Sequence, residues 1–186
     1  MTRPMTCFLV SILILGASDL RAQTPPSPPS ASATKLEGFK SPSGSISTLG
    51  YDDLGMVSGV AVDVREMRDA RNIPVRGLLV QVSEGQGRSE HSFVDADEVA
   101  ELLRGIDALL GITANPTQFR NFETRYTTRG ELQLTAYNSG SSLIQYAVQA
   151  GRGMKAQRTG LSPSDMQRLR AVFASGLQKL QATTAK

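Results

Sequence analysis

Between Met56 and Met67 (MVSGVAVDVREM) apolar residues fall at Val60, Val62 and Val64, the period-2 spacing that places them on one face of a strand. Asp69-Ala-Arg-Asn72 interrupts the pattern as a turn, and Pro74 opens the next run where a missing N–H is tolerated. Val75–Ser83, rich in Val and Leu, predicts a buried strand. Gly85-Gln-Gly87 predicts a hairpin turn, with Arg88–Val94 returning as a shorter strand.

The period then changes. Val99, Leu102, Leu103, Ile106, Leu109 and Leu110 recur at helical spacing. Asp95 and Glu98 have the spacing of a capping box at the start of this helix, and Gly111 lies where a C-cap glycine belongs.

The second half repeats the order. Phe119–Thr127 predicts a strand and Arg129-Gly130 a turn. Glu131–Tyr137 alternates, with Leu132, Leu134 and Ala136 inward and Gln133, Thr135 and Tyr137 outward. Asn138-Ser-Gly-Ser141 turns again, Leu143–Ala150 is a further strand, and Gly151-Arg-Gly153 leads to a fourth over Met154–Arg158. In the closing helix Ser162 is the N-cap, Pro163 takes the first position and Asp165 supplies the N3 carboxylate. Its apolar face is Met166, Leu169, Val172, Phe173, Leu177 and Leu180. Aligning Asp95 with Ser162 pairs Val99 with Met166, Leu102 with Leu169, Ile106 with Phe173 and Leu110 with Leu177, without a gap. The expected fold class is therefore α+β: antiparallel sheets carrying two amphipathic helices, in a pseudo-duplicated unit of strand meander plus helix.

The regions before residue 46 differ in composition. Arg3 makes a short positive n-region, and Cys7–Gly16 an apolar run of about ten residues, too short for a bilayer span of roughly 20. Small residues follow, so 1–22 reads as a cleavable signal peptide, with cleavage after Ala22 or after Ser18. Export to the periplasm or beyond is the expected destination. Residues 23–45, rich in Pro, Ser and Ala, predict an extended, disordered linker with almost nothing to bury. A single domain follows over 46–182, with 183–186 as a tail.

Charge narrows the partners. The chain has 20 Lys+Arg against 17 Asp+Glu, and loss of Arg3, Arg21 and Asp19 with the signal leaves 18 against 16. Acidic residues are interspersed with the basic ones, a mixed surface and not a nucleic-acid footprint. Cys7 is the sole cysteine, so the exported form has no thiol and its core alone must hold it. His91 is the only histidine, which leaves a His-based zinc site short of ligands. A triad of His91 with Ser89 or Ser92 meets the alternation of strand side chains, and the nucleophile-elbow motif is absent. Asp95, Asp97, Glu98 and Glu101 suit calcium by their oxygen chemistry, but their spacing is not an EF-hand loop and a first helical turn attracts carboxylates by itself. No catalytic set, cofactor or metal is expected.

Several strands followed by one helix, repeated over about residues 56–181, resembles the Whirly and Pur-type single-stranded nucleic-acid binders. The segment from Phe93 onward is also similar to exported bacterial proteins of unknown function. The first resemblance implies a binding face on an open sheet, with basic and aromatic side chains. The second half offers Arg120, Arg125, Tyr126, Tyr137 and Tyr146 for it, while the polar stripe Asn121, Glu123, Arg125, Gln133, Thr135, Gln145 and Gln149 reads as the solvated side of an antiparallel sheet or as a binding face; the sheet-face candidates drawn from both are Arg120, Arg125, Gln133, Thr135, Tyr137 and Gln145. Tyr126 and Tyr146 are expected to face inward. The expected function is that of a non-catalytic interaction module of the cell envelope with an unidentified partner. The alternatives are a single-stranded nucleic-acid-binding sheet and an unrecognised hydrolase.

Overall fold

The structure is a computed structural model that describes residues 33–85, 87–113, 115–138, 140 and 143–184. The expected signal peptide, residues 23–32 of the expected linker and residues 185–186 of the tail lie outside these.

Eight strands and two longer helices follow in the order β1 (Thr48–Val57), β2 (Val60–Arg68), β3 (Pro74–Glu84), β4 (Arg88–Asp95), α1 (Val99–Leu110), β5 (Glu123–Thr127), β6 (Gln133–Tyr137), β7 (Gln145–Ala150), β8 (Gln157–Leu161) and α2 (Pro163–Thr184). A short 3-10 turn, Gly153–Lys155, precedes β8. Two separate antiparallel meanders result, β1-β2-β3-β4 (sheet A) and β5-β6-β7-β8 (sheet B). The fold is α+β, built twice from four strands and a helix.

Three boundaries depart from the sequence expectation. β1 lies in a stretch without apolar alternation; it exists because β2 offers it a ladder, and it bulges between Asp53 and Gly55. Asp52 and Asp53 lie within this strand. Between β1 and β2, Ser58 (φ 47°) and Gly59 (φ 82°) make a two-residue turn with both φ positive. β5 begins at Glu123, not Phe119, and the fourth strand of sheet B runs to Leu161 after the 3-10 turn instead of starting at Met154.

The core lies between the inner faces of the sheets and the helices. Val60, Val62, Leu78, Val80, Val82 and Val94 come from sheet A, and Leu134, Ala136, Tyr146, Val148 and Ala150 from sheet B. The aligned helical residues Val99/Met166, Leu102/Leu169 and Ile106/Phe173 are all buried. Each helix lies chiefly on the sheet of the other half, α1 on β5 and β6, α2 on β1 and β2. Glycines permit this closeness. A Cβ on Gly105 would stand 2.5 Å from the Tyr126 ring of β5, and one on Gly176 would stand 2.9 Å from Leu54 Cδ1 and 3.0 Å from Leu78 Cδ2. Asp107 of α1 and Arg170 of α2 join the helices by a bidentate ion pair.

The two helix starts differ. At α2, Asp165 N–H donates to Ser162 Oγ and Ser162 N–H donates to Asp165 Oδ2, both at 3.1 Å, the reciprocal box that the spacing predicts. At α1 the N-cap is Glu98, with no side-chain cap bond. Asp95 does not cap. Its buried carboxylate accepts the backbone N–H of Lys35 at 2.9 Å and of Leu36 at 3.3 Å.

That contact revises the segment before residue 46. Thr34 and Leu36 are buried, so this part of the expected linker is seated on the domain. Thr34 and Glu37 close a turn on themselves: Glu37 N–H donates to Thr34 Oγ1 and Thr34 N–H to Glu37 Oε2, each at 3.1 Å. Leu36 packs on the bare backbone of Gly77 in β3, where a Cβ would lie 2.6 Å from Leu36 Cδ1 and 2.2 Å from Val94 O.

Candidate functional site

Strand register sorts sheet B into two faces. The inner face carries Tyr126, Leu134, Ala136, Tyr146 and Val148, so both tyrosines point inward as the sequence predicts. The outer face is laid out in three cross-strand rows. Thr127, Gln133, Gln149 and Arg158 form the first, Arg125, Thr135, Ala147 and Gly160 the second, and Glu123, Tyr137 and Gln145 the third.

The middle row is low because Ala147 and Gly160 have little or no side chain. Arg158, from the first row on β8, reaches diagonally over it and sets its guanidinium 5.4 Å from the centroid of the Tyr137 ring on β6. This cation–π pair spans β7, and Thr135 and Ala147 on the same outer face are only 4% and 2% exposed. Arg158 makes no ion pair among the described residues, whereas Arg125 pairs with Glu123 two positions away on the same strand. Beside Tyr137 a hollow of about 360 Å³ runs past Gln145 and Gly160 to Ser162 and Pro163 at the start of α2.

Five of the six candidate residues, Arg125, Gln133, Thr135, Tyr137 and Gln145, thus share one face. Thr135 is its covered floor. Arg120 stands apart: it precedes β5, and its guanidinium donates to Gly140 O at 3.1 Å. Gln149 and Arg158 complete the face. Gln149 alternates outward on β7, and Arg158, the last residue of the strand expected over Met154–Arg158, lies instead near the start of β8 opposite Gln149.

The other chemistry-bearing residues are engaged elsewhere. His91 is exposed on the outer face of sheet A, edge-on to Phe93 at 5.4 Å. Ser92 points to the opposite face and its Oγ accepts Gly151 N–H at 3.2 Å. Among the described residues no hydrogen bond joins His91 to a serine.

The acidic cluster meets cations of the chain itself. Arg129, on the β5–β6 turn, donates to Asp97 Oδ1 at 2.7 Å and lies 3.5 Å from Glu98 Oε2 and 3.7 Å from Asp95 Oδ2. Its backbone N–H donates to Glu98 Oε1 at 2.7 Å. Lys35 Nζ donates to Asp97 Oδ2 at 3.0 Å. Hydrogen bonds from Lys35 and then Arg129 hold the Asp97 carboxyl below its ordinary range. Glu101 pairs with Arg104. Among the described residues no group of three or more His, Cys, Asp or Glu could hold a metal ion.

A second hollow, about 320 Å³, lies between Gly50, Val64 and Arg76 of sheet A and Leu180 and Thr183 of α2. Glu66 lines it, and hydrogen bonds from Arg68 and Arg76 lower its pKa against the opposing effect of burial. No helix among the described residues is long and apolar enough to cross a membrane.

The site is thus a flat polar sheet face with one aromatic–guanidinium pair, on a two-sheet α+β domain. Comparison with protein families, curated proteins and solved structures finds no match for this chain.

Proposed function

We propose that the protein is an exported, non-catalytic interaction module of the cell envelope, and that the outer face of sheet B is its binding surface. The observation that carries this reading is the Tyr137–Arg158 pair set among Gln133, Gln145 and Gln149. An aromatic plane, an arginine that makes no ion pair among the described residues and three amides offer stacking and hydrogen bonds in both directions, the composition of recognition surfaces. These groups bind and orient; they make no nucleophile–base pair. The pattern of Arg3 and the apolar run that follows supports export, and N-terminal sequencing of the exported protein should begin at Gln23 or Asp19.

The binding claim is tested with immobilised protein and solubilised envelope. Retention by the wild type that disappears in the combined Arg125→Glu, Tyr137→Ala, Gln145→Ala variant supports the surface. Equal retention by both contradicts it. The second reading, a single-stranded nucleic-acid-binding sheet, draws on the same pair, since bases stack on aromatic and guanidinium planes. An oligonucleotide titration at low salt that shows no binding dismisses that reading and leaves the first standing.

A further inference from the structure

We infer that the free edge of β1 joins a second copy of this chain in an antiparallel strand pair centred on Gly50. β1 is ten residues long and, among the described strands, pairs only with β2. Thr48–Asp53 is exposed throughout. Such an edge presents a row of unpaired N–H and C=O groups, which proteins ordinarily blunt.

The other edges are blunted. The β5–β6 turn sits against β4 so closely that a Cβ on Gly130 would lie 2.0 Å from Phe93 O. β5 and β8 are five residues each; β5 carries Glu123 and Arg125, and β8 is tied to the β1–β2 turn by Thr159 Oγ1 donating to Ser58 O at 3.2 Å. β1 instead carries exposed apolar side chains along its length: Leu49, Tyr51 and Met56 on the strand, with Ile46 just before it and Ile73 on the β2–β3 turn, are five of the eight exposed large hydrophobic residues among those described.

The sequence of the edge is self-complementary in one register. A two-fold axis through the sheet must keep like faces together, so only centres on whole residues are allowed. A centre on Tyr51 sets Leu49 against Asp53 of the second copy and Gly50 against Asp52. A centre on Leu49 sets Tyr51 against Ser47. A centre on Gly50 sets Leu49 against Tyr51 twice on the outer face, and each aspartate against a hydroxyl: Asp52 against Thr48 and Asp53 against Ser47. No like charges oppose each other there, and apolar–aromatic cross-strand pairs are favourable. A Cβ built on Gly50 meets nothing in its own chain nearer than Glu66 O at 4.0 Å, so a side chain can be introduced there. Because α2 lies over β1, the same axis brings both α2 helices to one face of a continuous eight-stranded sheet.

The test uses the full chain carrying Cys7→Ser. Sedimentation from the micromolar to the millimolar range should show a monomer–dimer equilibrium. Leu49→Lys with Tyr51→Lys, both at exposed side chains, should abolish the dimer while leaving the circular dichroism spectrum unchanged and the thermal midpoint equal to that of wild type at concentrations where both are monomeric. Gly50→Cys should form a disulfide-linked dimer on mild oxidation, and Ser47→Cys should not. A chain that stays monomeric at every concentration overturns the inference, and the edge then belongs to another partner or stays open. A dimer that survives the two lysines, or one that Gly50→Cys fails to link, overturns it equally.

Discussion

The carboxylate of Asp95 holds the backbone N–H of Lys35 at 2.9 Å, across 60 positions of chain. This contact ties the segment before β1 to the junction of the two halves. Around it, Lys35 meets Asp97, Arg129 meets Asp97 and Glu98, and Arg152 bridges Glu37 and Glu131 at 3.2 and 3.3 Å. Residues from both halves thus converge on a turn that composition alone marks as linker.

Removing residues 23–45 should therefore cost stability, contrary to what the composition suggests. Leu36→Ala isolates the packing part. Leucine truncation in a core costs about 2–5 kcal/mol, and the lower end applies because the turn can lift away. Urea denaturation measures it; a midpoint equal to wild type would show that Leu36 contributes nothing.

Asp95→Ala leaves the Lys35 and Leu36 amides without their acceptor. Each buried orphan would cost about 1–3 kcal/mol, but undocking returns both to water and caps the total. The loss should therefore appear as local opening: faster amide exchange at Lys35–Gly38, with the strands of sheet B unaffected. Unchanged exchange in that turn would contradict the account.

Acid should open the same turn. Lys35 and Arg129 lower the Asp97 pKa in the folded state, so the stabilisation is present above the unfolded carboxyl value and is lost as pH falls through the lowered folded value. Protection of the Lys35–Gly38 amides, taken relative to their intrinsic exchange at each pH, should fall on acidification below about pH 4, and Asp97→Asn should flatten the response. A turn whose exchange follows only the intrinsic pH dependence would contradict this.

Gly77→Ala and Gly105→Ala separate two kinds of close approach. At Gly77 the added Cβ meets Val94 O at 2.2 Å, a backbone atom that cannot yield cheaply, so a loss at or above the roughly 1–3 kcal/mol of overpacking is expected. At Gly105 it meets a tyrosine ring, which can tilt, and alanine returns about 1 kcal/mol of helix propensity. Gly105→Ala should therefore cost less than Gly77→Ala in urea; the reverse order would contradict the packing.

Much of this was legible from spacing. The buried helical faces, the Ser162–Asp165 box and the inner row Leu132, Leu134 and Ala136 follow from period and cap chemistry alone. β1 was not legible, because Gly50, Asp52 and Asp53 give no alternation and the strand depends on β2 across a turn. Thr34-Lys-Leu-Glu37 carries its signal in the T-x-x-E spacing, masked by the proline-rich stretch before it. Asp95 and Glu98 show the limit of a motif: their spacing suits a cap, but a turn sixty residues away takes the Asp95 carboxylate. The face of sheet B was readable as far as Gln149. Arg158 completes it only through a diagonal reach that needs the register of four strands.

If the outer face of sheet B is the binding surface, its side chains lie against a partner in the cell. A photo-crosslinking amino acid at Tyr137 or Gln145, in the intact producing cell, tests it most directly, with exposed Glu101 on α1 as the control. Positions 137 and 145 should each give a discrete higher-mass adduct, and position 101 none. Absence of any adduct at 137 and 145, or equal adducts at all three, would contradict it.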